Sequence, residues 1–243
     1  MNVLKQVVEN VWEANAPLKL PGLRMDHRLT VLRLHNGELV VHSPIEFSAP
    51  LHKALLEVGR PKWFIAPSRF HDMFWPNWFR AFPNARFVAA PGVREDHPDL
   101  PFTDVLAGGA NYWEDELVLL PIGGMPKINE VALLHPASRS LLIADLIFNL
   151  DAAAQNLLGR LFLKANGIFQ TAGISRIFRS YIKDRAAFVD SIDEIQSHSF
   201  ERIILGHGGN LAGNEALQGA LSAAGFADGK SLPANAGTVA RSI

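Results

Sequence analysis

The stretch SLLIADLIFN at residues 140–149 decides the fold class of this chain. Its core is apolar at successive positions, which is typical of a β-strand that is covered on both faces. Two related runs occur elsewhere, KWFIAPS at residues 62–68 and RIILGHGGN at residues 202–210. Such strands alternate with helical stretches along the chain, so we expect a mixed, layered α/β (α+β) fold rather than a helix bundle or a β-sandwich.

The remaining patterns divide the chain into further elements without dividing it into domains. Residues 29–44 are typical of a hairpin, and Asn36-Gly37 favours a tight type I′ turn within it. No internal repeat or linker is visible, so we expect a single domain over residues 1–243 with a frayed tail at 230–243. Helical patterns occupy 48–58, much of 151–182, 184–198 and 213–224.

Composition excludes several classes of function. Twenty-three basic residues face 24 acidic ones, so nothing favours a general nucleic-acid binder. The chain has no cysteine, which excludes disulfides, thiolate catalysis and Cys-ligated metal sites. Neither a signal-peptide pattern nor an apolar run of about 18 residues is present, so we expect a cytoplasmic protein without a transmembrane segment. The oligomeric state is not indicated.

Three polar residues follow apolar strands, each near the point where its strand ends. They are His71 after WFIAP, Asp145 after SLLIA and His207 after RIILG. In layered α/β folds, sites form where strands end, and two imidazoles with one carboxylate suit Zn²⁺ or Fe²⁺. Three protein ligands also leave a position open for water. The alternative is that each residue is an isolated loop residue.

Three segments follow the hairpin and a helix in the chain: APSRFHDMFWPNWFRAFPNARFVAAPG, then GGMPKINEVALLHPASRSLLIADLIFN, then RIILGHGGN. The order of these segments resembles the metallo-β-lactamase fold superfamily. The resemblance covers roughly residues 29–212, and it is to an uncharacterised branch with a degraded metal motif. It implies a four-layer αββα sandwich.

The superfamily binds two metals through H-x-H-x-D-H, a later Gly-His, a bridging Asp and a final Gly-His. By this resemblance His71 matches the last His of the first motif, Asp145 the bridging Asp and His207 the final His. The resemblance therefore implies these three as metal ligands, with Asp145 as the catalytic candidate. The positions without a matching ligand are Ala66, Ser68 and Phe70 in the first motif and Met125-Pro126 at the later Gly-His.

The losses leave most of one metal site and none of the other. This implies one divalent metal, zinc or iron, in a mononuclear hydrolase, where water of lowered pKa attacks an ester, lactone or phosphoester. Asp72 could replace the carboxylate that is missing at Phe70. A two-metal lactamase-type hydrolase is not favoured. The alternative is a dead site without metal, in a protein that only binds its ligand.

Residues 152–183 contain five basic residues, no acidic residue and many apolar ones. We expect this segment to form a helical lid over the site, which favours a small-molecule ligand that is anionic or amphiphilic, or contact with a membrane surface. The alternative is a pair of packing helices with solvated basic residues. The candidate pocket residues are Ser68, Phe70, Asp72, Phe74, His42, Arg160, Lys164, Arg176 and Arg179.

Overall fold

The computed structural model describes residues 3–106 and 112–226. The strands are β1 (Lys5–Val8), β2 (Val11–Leu20), β3 (Leu23–Arg33), β4 (Glu38–His42), β5 (Arg60–Ala66), β6 (Arg86–Ala89), β7 (Asp104–Val105), β8 (Val118–Pro121), β9 (Val131–His135), β10 (Ser140–Ile143) and β11 (Arg202–Leu205). The helices are α1 (Ala49–Val58), α2 (Trp75–Ala81), α3 (Val93–Asp96), α4 (Leu157–Asn166), α5 (Arg176–Arg179), α6 (Arg185–Ser197) and α7 (Gly213–Ala223). The tail at 230–243 lies outside the described residues.

The strands form two mixed sheets. The larger sheet has the order β1-β2-β3-β4-β5-β6-β7, antiparallel up to β4 and parallel from β4 onwards. The smaller sheet has the order β11-β10-β9-β8, in which only β10 and β11 are parallel. None of the described helices is long and apolar enough to cross a membrane.

The two faces of β10 explain why the sheets stack with helices outside them. Successive side chains of a strand point to opposite faces, and β10 is apolar on both. Leu142 packs in the core between the two sheets, whereas Leu141 and Ile143 pack with Phe188 of α6 on the outer side. On the far side of the larger sheet, Trp78 of α2 joins the core together with residues of α1. The result is the expected four-layer αββα sandwich.

The structure departs from the sequence-based expectation in three places. The hairpin that we placed at 29–44 belongs to a longer antiparallel unit that starts at β1. Its turn is not type I′, because only Gly37 has a positive φ (78°) and Asn36 does not. The region 151–182 is helical only in α4 and the short α5, since residues between them form turns and extended chain.

A buried arginine in β3 joins the two sheets. The Arg28 guanidinium donates to the carbonyl oxygens of Leu205 at 2.5 Å and Gly208 at 2.7 Å, and to Asn210 Oδ1 at 2.7 Å. It also lies 3.3 Å from Glu13 Oε2, and both side chains are less than a tenth exposed. The loop after β11 is therefore held against β3 by charge-assisted hydrogen bonds, which are stronger than neutral ones.

Replacing this arginine should destabilise the protein strongly. In Arg28→Met, Glu13 keeps a buried charge without its partner, so we expect a loss of about 3–5 kcal/mol in the free energy of unfolding. The control is Arg33→Met, because Arg33 lies in the same strand but is exposed, and it should change stability by less than about 1 kcal/mol. Urea unfolding of both variants measures the difference, and equal losses would contradict the role given to Arg28.

Candidate metal centre

The three residues singled out at strand ends lie together in the folded protein. His71 follows β5, Asp145 follows β10 and His207 follows β11, and all three side chains are buried. His71 Nε2 is 3.2 Å from His207 Nε2 and 3.4 Å from Asp145 Oδ1, and His207 Nε2 is 3.5 Å from the same oxygen. Within 3–106 and 112–226, they form the one group of three or more His, Asp or Glu side chains with this spacing.

The spacing of these three atoms fits a shared metal ion. Ligand atoms placed tetrahedrally at zinc-to-nitrogen bond lengths lie about 3.3 Å from one another. The observed separations of 3.2 to 3.5 Å match three corners of such a tetrahedron. Two imidazoles and one carboxylate are also donors that Zn²⁺ and Fe²⁺ accept. The residues present therefore fit a single divalent metal.

Hydrogen bonds outside the cluster orient both imidazoles. His207 Nδ1 lies 2.7 Å from the carbonyl oxygen of Asp26, which can only accept, so Nδ1 carries a proton and Nε2 is the nitrogen that presents a lone pair in the neutral ring. His71 Nδ1 lies 2.5 Å from Ser43 Oγ. That hydroxyl is also 2.7 Å from His27 Nε2, so Ser43 links the two rings and can accept from one while it donates to the other.

The carboxylate of Asp145 is fixed from two directions. The Ser68 hydroxyl donates to Oδ2 at 2.5 Å, which leaves Oδ1 facing the imidazoles. Although burial alone would raise the pKa of Asp145, the neighbouring His71 and His207 hold it below its usual range. Beneath it, the buried carboxyl of Glu130 accepts from the backbone N–H groups of Ala144 (2.7 Å) and Asp145 (3.0 Å).

His27 in β3 is a site residue that sequence analysis missed. Its ring centroid is 4.4 Å from that of His71, and burial lowers its pKa well below the usual value. Its Nδ1 atom is buried without a hydrogen-bond partner among the described residues. No signal around His27 marks it, because DHRLT does not follow an apolar strand run.

His42, a pocket candidate, lies at the end of β4 but does not line the pocket. Burial, and then the charge of His71, lower the pKa of His42 to about 3, so its ring is neutral at physiological pH.

A pocket of about 520 Å³ opens above the cluster, with Asp145, His207 and His27 in its wall. The other described residues that line it are mainly apolar. The Phe148 ring stacks on the His207 ring with their centroids 5.5 Å apart. The centroid of the Phe178 ring, in α5, lies 4.9 Å from that of Phe148. The aromatic side chains that line the pocket are Phe70, Phe74, Phe148 and Phe178, which include the candidates Phe70 and Phe74.

The four basic candidates of the 152–183 segment do not line this pocket, which corrects that part of the lid expectation. Arg176 donates to the carbonyl oxygen of Ala165 near the end of α4, and Arg179 donates to that of Ala224 just after α7. Carbonyls at helix C-termini lack intrahelical partners and attract cations. Arg160 donates to Ala153 O, and Lys164 Nζ lies 4.8 Å from the centroid of the Phe169 ring. The segment reaches the pocket through Phe178 instead.

Asp72 does not join the metal cluster either. Its carboxylate lies 2.7 Å from Nε2 of His97, with both side chains partly exposed.

The positions that the resemblance aligns with lost metal ligands also make other contacts. Ala66 is fully buried in the core, Ser68 bonds Asp145, and the carbonyl oxygen of Pro126 accepts from Arg69.

Solved structures with the same architecture are metallo-β-lactamases. The DIM-1 metallo-β-lactamase exposed to ceftazidime is 15% identical with a TM-score of 0.64, and the match covers 91% of this chain and 95% of that one. The metallo-β-lactamase of Pontibacter korlensis is 12% identical with a TM-score of 0.62, covering 90% and 97%. The FIM-1 enzyme of Pseudomonas aeruginosa in its mono-zinc form is 13% identical with a TM-score of 0.62, covering 91% and 93%. No curated protein matches the chain.

The chain thus has the metallo-β-lactamase fold, with a His-Asp-His cluster where three of its strands end. The model of the domain of unknown function DUF4336 matches residues 8–172, and the chain belongs to this family.

Glu130 should be needed to hold the strand end that carries Asp145. Burial, and then the charge of Asp145, raise the pKa of Glu130 to about 8, so the group is largely neutral near pH 7. In Glu130→Ala the N–H groups of Ala144 and Asp145 lose their acceptors, and we expect a loss of about 2–4 kcal/mol in the free energy of unfolding.

The matched variant is Glu130→Gln, whose amide oxygen can still accept one of the two bonds, so it should lose clearly less. Denaturant titration near pH 7 compares the two variants. If alanine is tolerated as well as glutamine, Glu130 does not have this role.

Proposed function

We propose that the protein is a mononuclear metal-dependent hydrolase. The observation that carries this proposal is the triangle formed by His71 Nε2, His207 Nε2 and Asp145 Oδ1, with sides of 3.2 to 3.5 Å, at the inner end of a pocket. A divalent ion in that triangle would supply Lewis-acid chemistry, by polarising a carbonyl or phosphoryl oxygen and making water more acidic.

The surrounding residues support a metal site because they leave one donor atom free on each ligand. Asp26 O accepts from His207 Nδ1, and Ser68 donates to Oδ2 of Asp145, so His207 Nε2 and Asp145 Oδ1 remain available. Ligands fixed in this way are typical of metal sites, in which outer hydrogen bonds set tautomer and orientation. With Ala66 and Ser68 in place of histidines, we propose one metal per chain.

The pocket favours an uncharged ester or lactone over a phosphoester. Among the described side chains that line it, aside from the histidines, the ionisable ones are Asp145 and Glu46, and both are acidic. A bound divalent ion would offset the charge of Asp145, so the described lining would present to an anionic phosphoester only the negative charge of Glu46 and no Arg or Lys to pair with it, whereas the aromatic wall can bury the apolar body of a neutral ligand. An amphiphilic ligand also fits this pocket if its charged head stays outside the aromatic wall.

A second candidate function is metal-free ligand binding. The 3.2 Å separation of His71 Nε2 and His207 Nε2 also suits an N–H···N hydrogen bond. In that state His71 would carry its proton on Nε2, and its Nδ1 would accept from Ser43. The cluster would then be a structural hydrogen-bond network beneath an apolar binding pocket.

Metal content separates the two candidates. Elemental analysis of protein purified without chelator should find one equivalent of zinc or iron per chain, and His71→Ala and His207→Ala should each bring this close to zero, because two remaining ligands hold a metal weakly. Asp72→Asn is the control, since Asp72 pairs with His97 and should leave the metal content unchanged. Two equivalents, or none in the wild type, would overturn the proposal.

Hydrolysis is tested with neutral aryl esters, aryl lactones and an aryl phosphodiester on the metal-loaded protein. We expect turnover of an ester or lactone that a chelator removes and added metal restores, and that His207→Ala lacks. Metal binding without turnover of any of these substrates would leave the metal site standing and refute the hydrolase.

Ser43 should tune the affinity for metal through His71. Ser43 has a left-handed backbone, with φ at 57°, so Ser43→Gly suits the chain conformation while it removes the hydroxyl that orients the His71 ring. We expect zinc affinity to fall about 10- to 100-fold, the range found when an outer hydrogen-bond partner is removed. Competition with a chromophoric chelator measures it.

Ser43→Ala is the companion variant, because it removes the same hydroxyl but keeps the Cβ. Both variants should lose the same affinity, with the glycine the more stable of the two because it suits the left-handed backbone. Wild-type zinc affinity in both would show that Ser43 does not act on the metal ligand.

A further inference from the structure

Exposed apolar side chains are concentrated on one helix. Nine large hydrophobic residues are exposed in the described part of the chain, and five of them fall between 157 and 177. Four belong to α4, where Leu157 is 74% exposed, Leu158 66%, Leu161 54% and Phe162 40%. Soluble monomers rarely expose a contiguous apolar surface of this kind without a partner for it.

The helical period places these four side chains on one face. At 3.6 residues per turn they span an arc of about 140°. The opposite side of α4 is occupied, since Leu163 is buried in a small core that Leu23 and Met25 of β3 also join. The exposed arc is therefore a second apolar face of a helix whose inward face is already packed.

The charges beside this face are of one sign. Arg160 and Lys164 are exposed on the same helix, about 60° and 20° before Leu157 on the helical wheel, and so border the apolar arc. No Asp or Glu occurs anywhere in residues 152–183. An apolar face with a cationic edge and no acidic residue is the pattern of helices that lie in the plane of an anionic membrane surface.

The apolar face continues towards the pocket. A Cβ at Gly22, in the turn between β2 and β3, would lie 3.4 Å from Leu158 Cβ, so the start of α4 contacts this turn. Leu20 next to the turn is 40% exposed and lines the pocket, as does Met73, which is also 40% exposed. Apolar surface thus runs from α4 across the hairpin tip to the rim of the pocket.

We propose that α4 and the tip of the β2–β3 hairpin bind the surface of an anionic lipid bilayer, with Leu157, Leu158, Leu161 and Phe162 inserted among the acyl chains. Arg160 and Lys164 then lie at the level of the headgroups and pair with lipid phosphates. A second copy of the same face would offer these cations no acidic partner, whereas an anionic bilayer does. The binding surface does not depend on the metal centre.

Vesicle flotation of the full chain tests this. We expect the wild type to float with vesicles of phosphatidylcholine and phosphatidylglycerol in equal parts, and to bind pure phosphatidylcholine at least about tenfold more weakly. Raising the salt concentration should release the protein from the anionic vesicles in part, because salt screens exposed charges.

Variants separate the apolar and the cationic contributions. Leu157→Ser/Leu161→Ser should weaken binding to anionic vesicles at least about tenfold, whereas Leu56→Ser should not change it. Leu56 is the matched control because it is 54% exposed, like Leu161, but lies on α1. Arg160→Gln/Lys164→Gln should remove the preference for anionic vesicles. Circular dichroism and metal content that match the wild type show that each variant has folded.

Three results would overturn the proposal. The wild type could fail to float with anionic vesicles, or Leu157→Ser/Leu161→Ser could float as the wild type does. Sedimentation equilibrium could instead show a wild-type dimer that Leu157→Ser/Leu161→Ser converts to monomer, which would assign the face to a second copy of the chain.

Discussion

The buried guanidinium of Arg28 is the contact on which the geometry of the site depends. It reaches from β3 in the larger sheet to carbonyl oxygens on both sides of His207, at Leu205 and Gly208. The backbone N–H of Arg28 also donates to Gly206 O at 2.9 Å. Glu13 supplies the opposite charge that makes this burial tolerable. Since His207 lies between the carbonyls that Arg28 holds and its own ring bonds the carbonyl oxygen of Asp26, its position relative to the larger sheet is fixed from β3.

Around the cluster, each buried polar group is oriented by another one. Asp145 is held by Ser68, and the backbone of its strand end by Glu130, so the carboxylate has little freedom. His71 depends on Ser43, whose hydroxyl also meets His27. Networks of this kind are stabilising only when their members are satisfied, because a buried polar group without a partner is costly. The unpartnered Nδ1 of His27 is therefore one point at which this network is incomplete among the described residues.

The segment after Asp145 gives two different surfaces to the protein. Phe178 faces the pocket and makes its wall aromatic, while the leucines of α4 face outward. Its arginines are divided in the same way between local and exposed roles. Arg176 and Arg179 donate to carbonyl oxygens near the ends of helices, and the other cations of the segment lie on its outer face. The basic residues of the segment therefore do not line the pocket.

The sequence by itself determined the layers and the three ligand candidates, because both are local signals. A strand that is apolar at every position, such as LLI at 141–143, must be covered on two faces, and a polar residue just beyond its end reaches the edge of the sheet. Only the tertiary structure decided the parts whose partners are distant in the chain. Arg28 and His27 both lie in β3, in a stretch that carries no such signal, and Arg28 bonds a carbonyl 177 residues away. The same holds for Arg176 and Arg179, since a run of basic residues does not indicate which helix end each cation will contact.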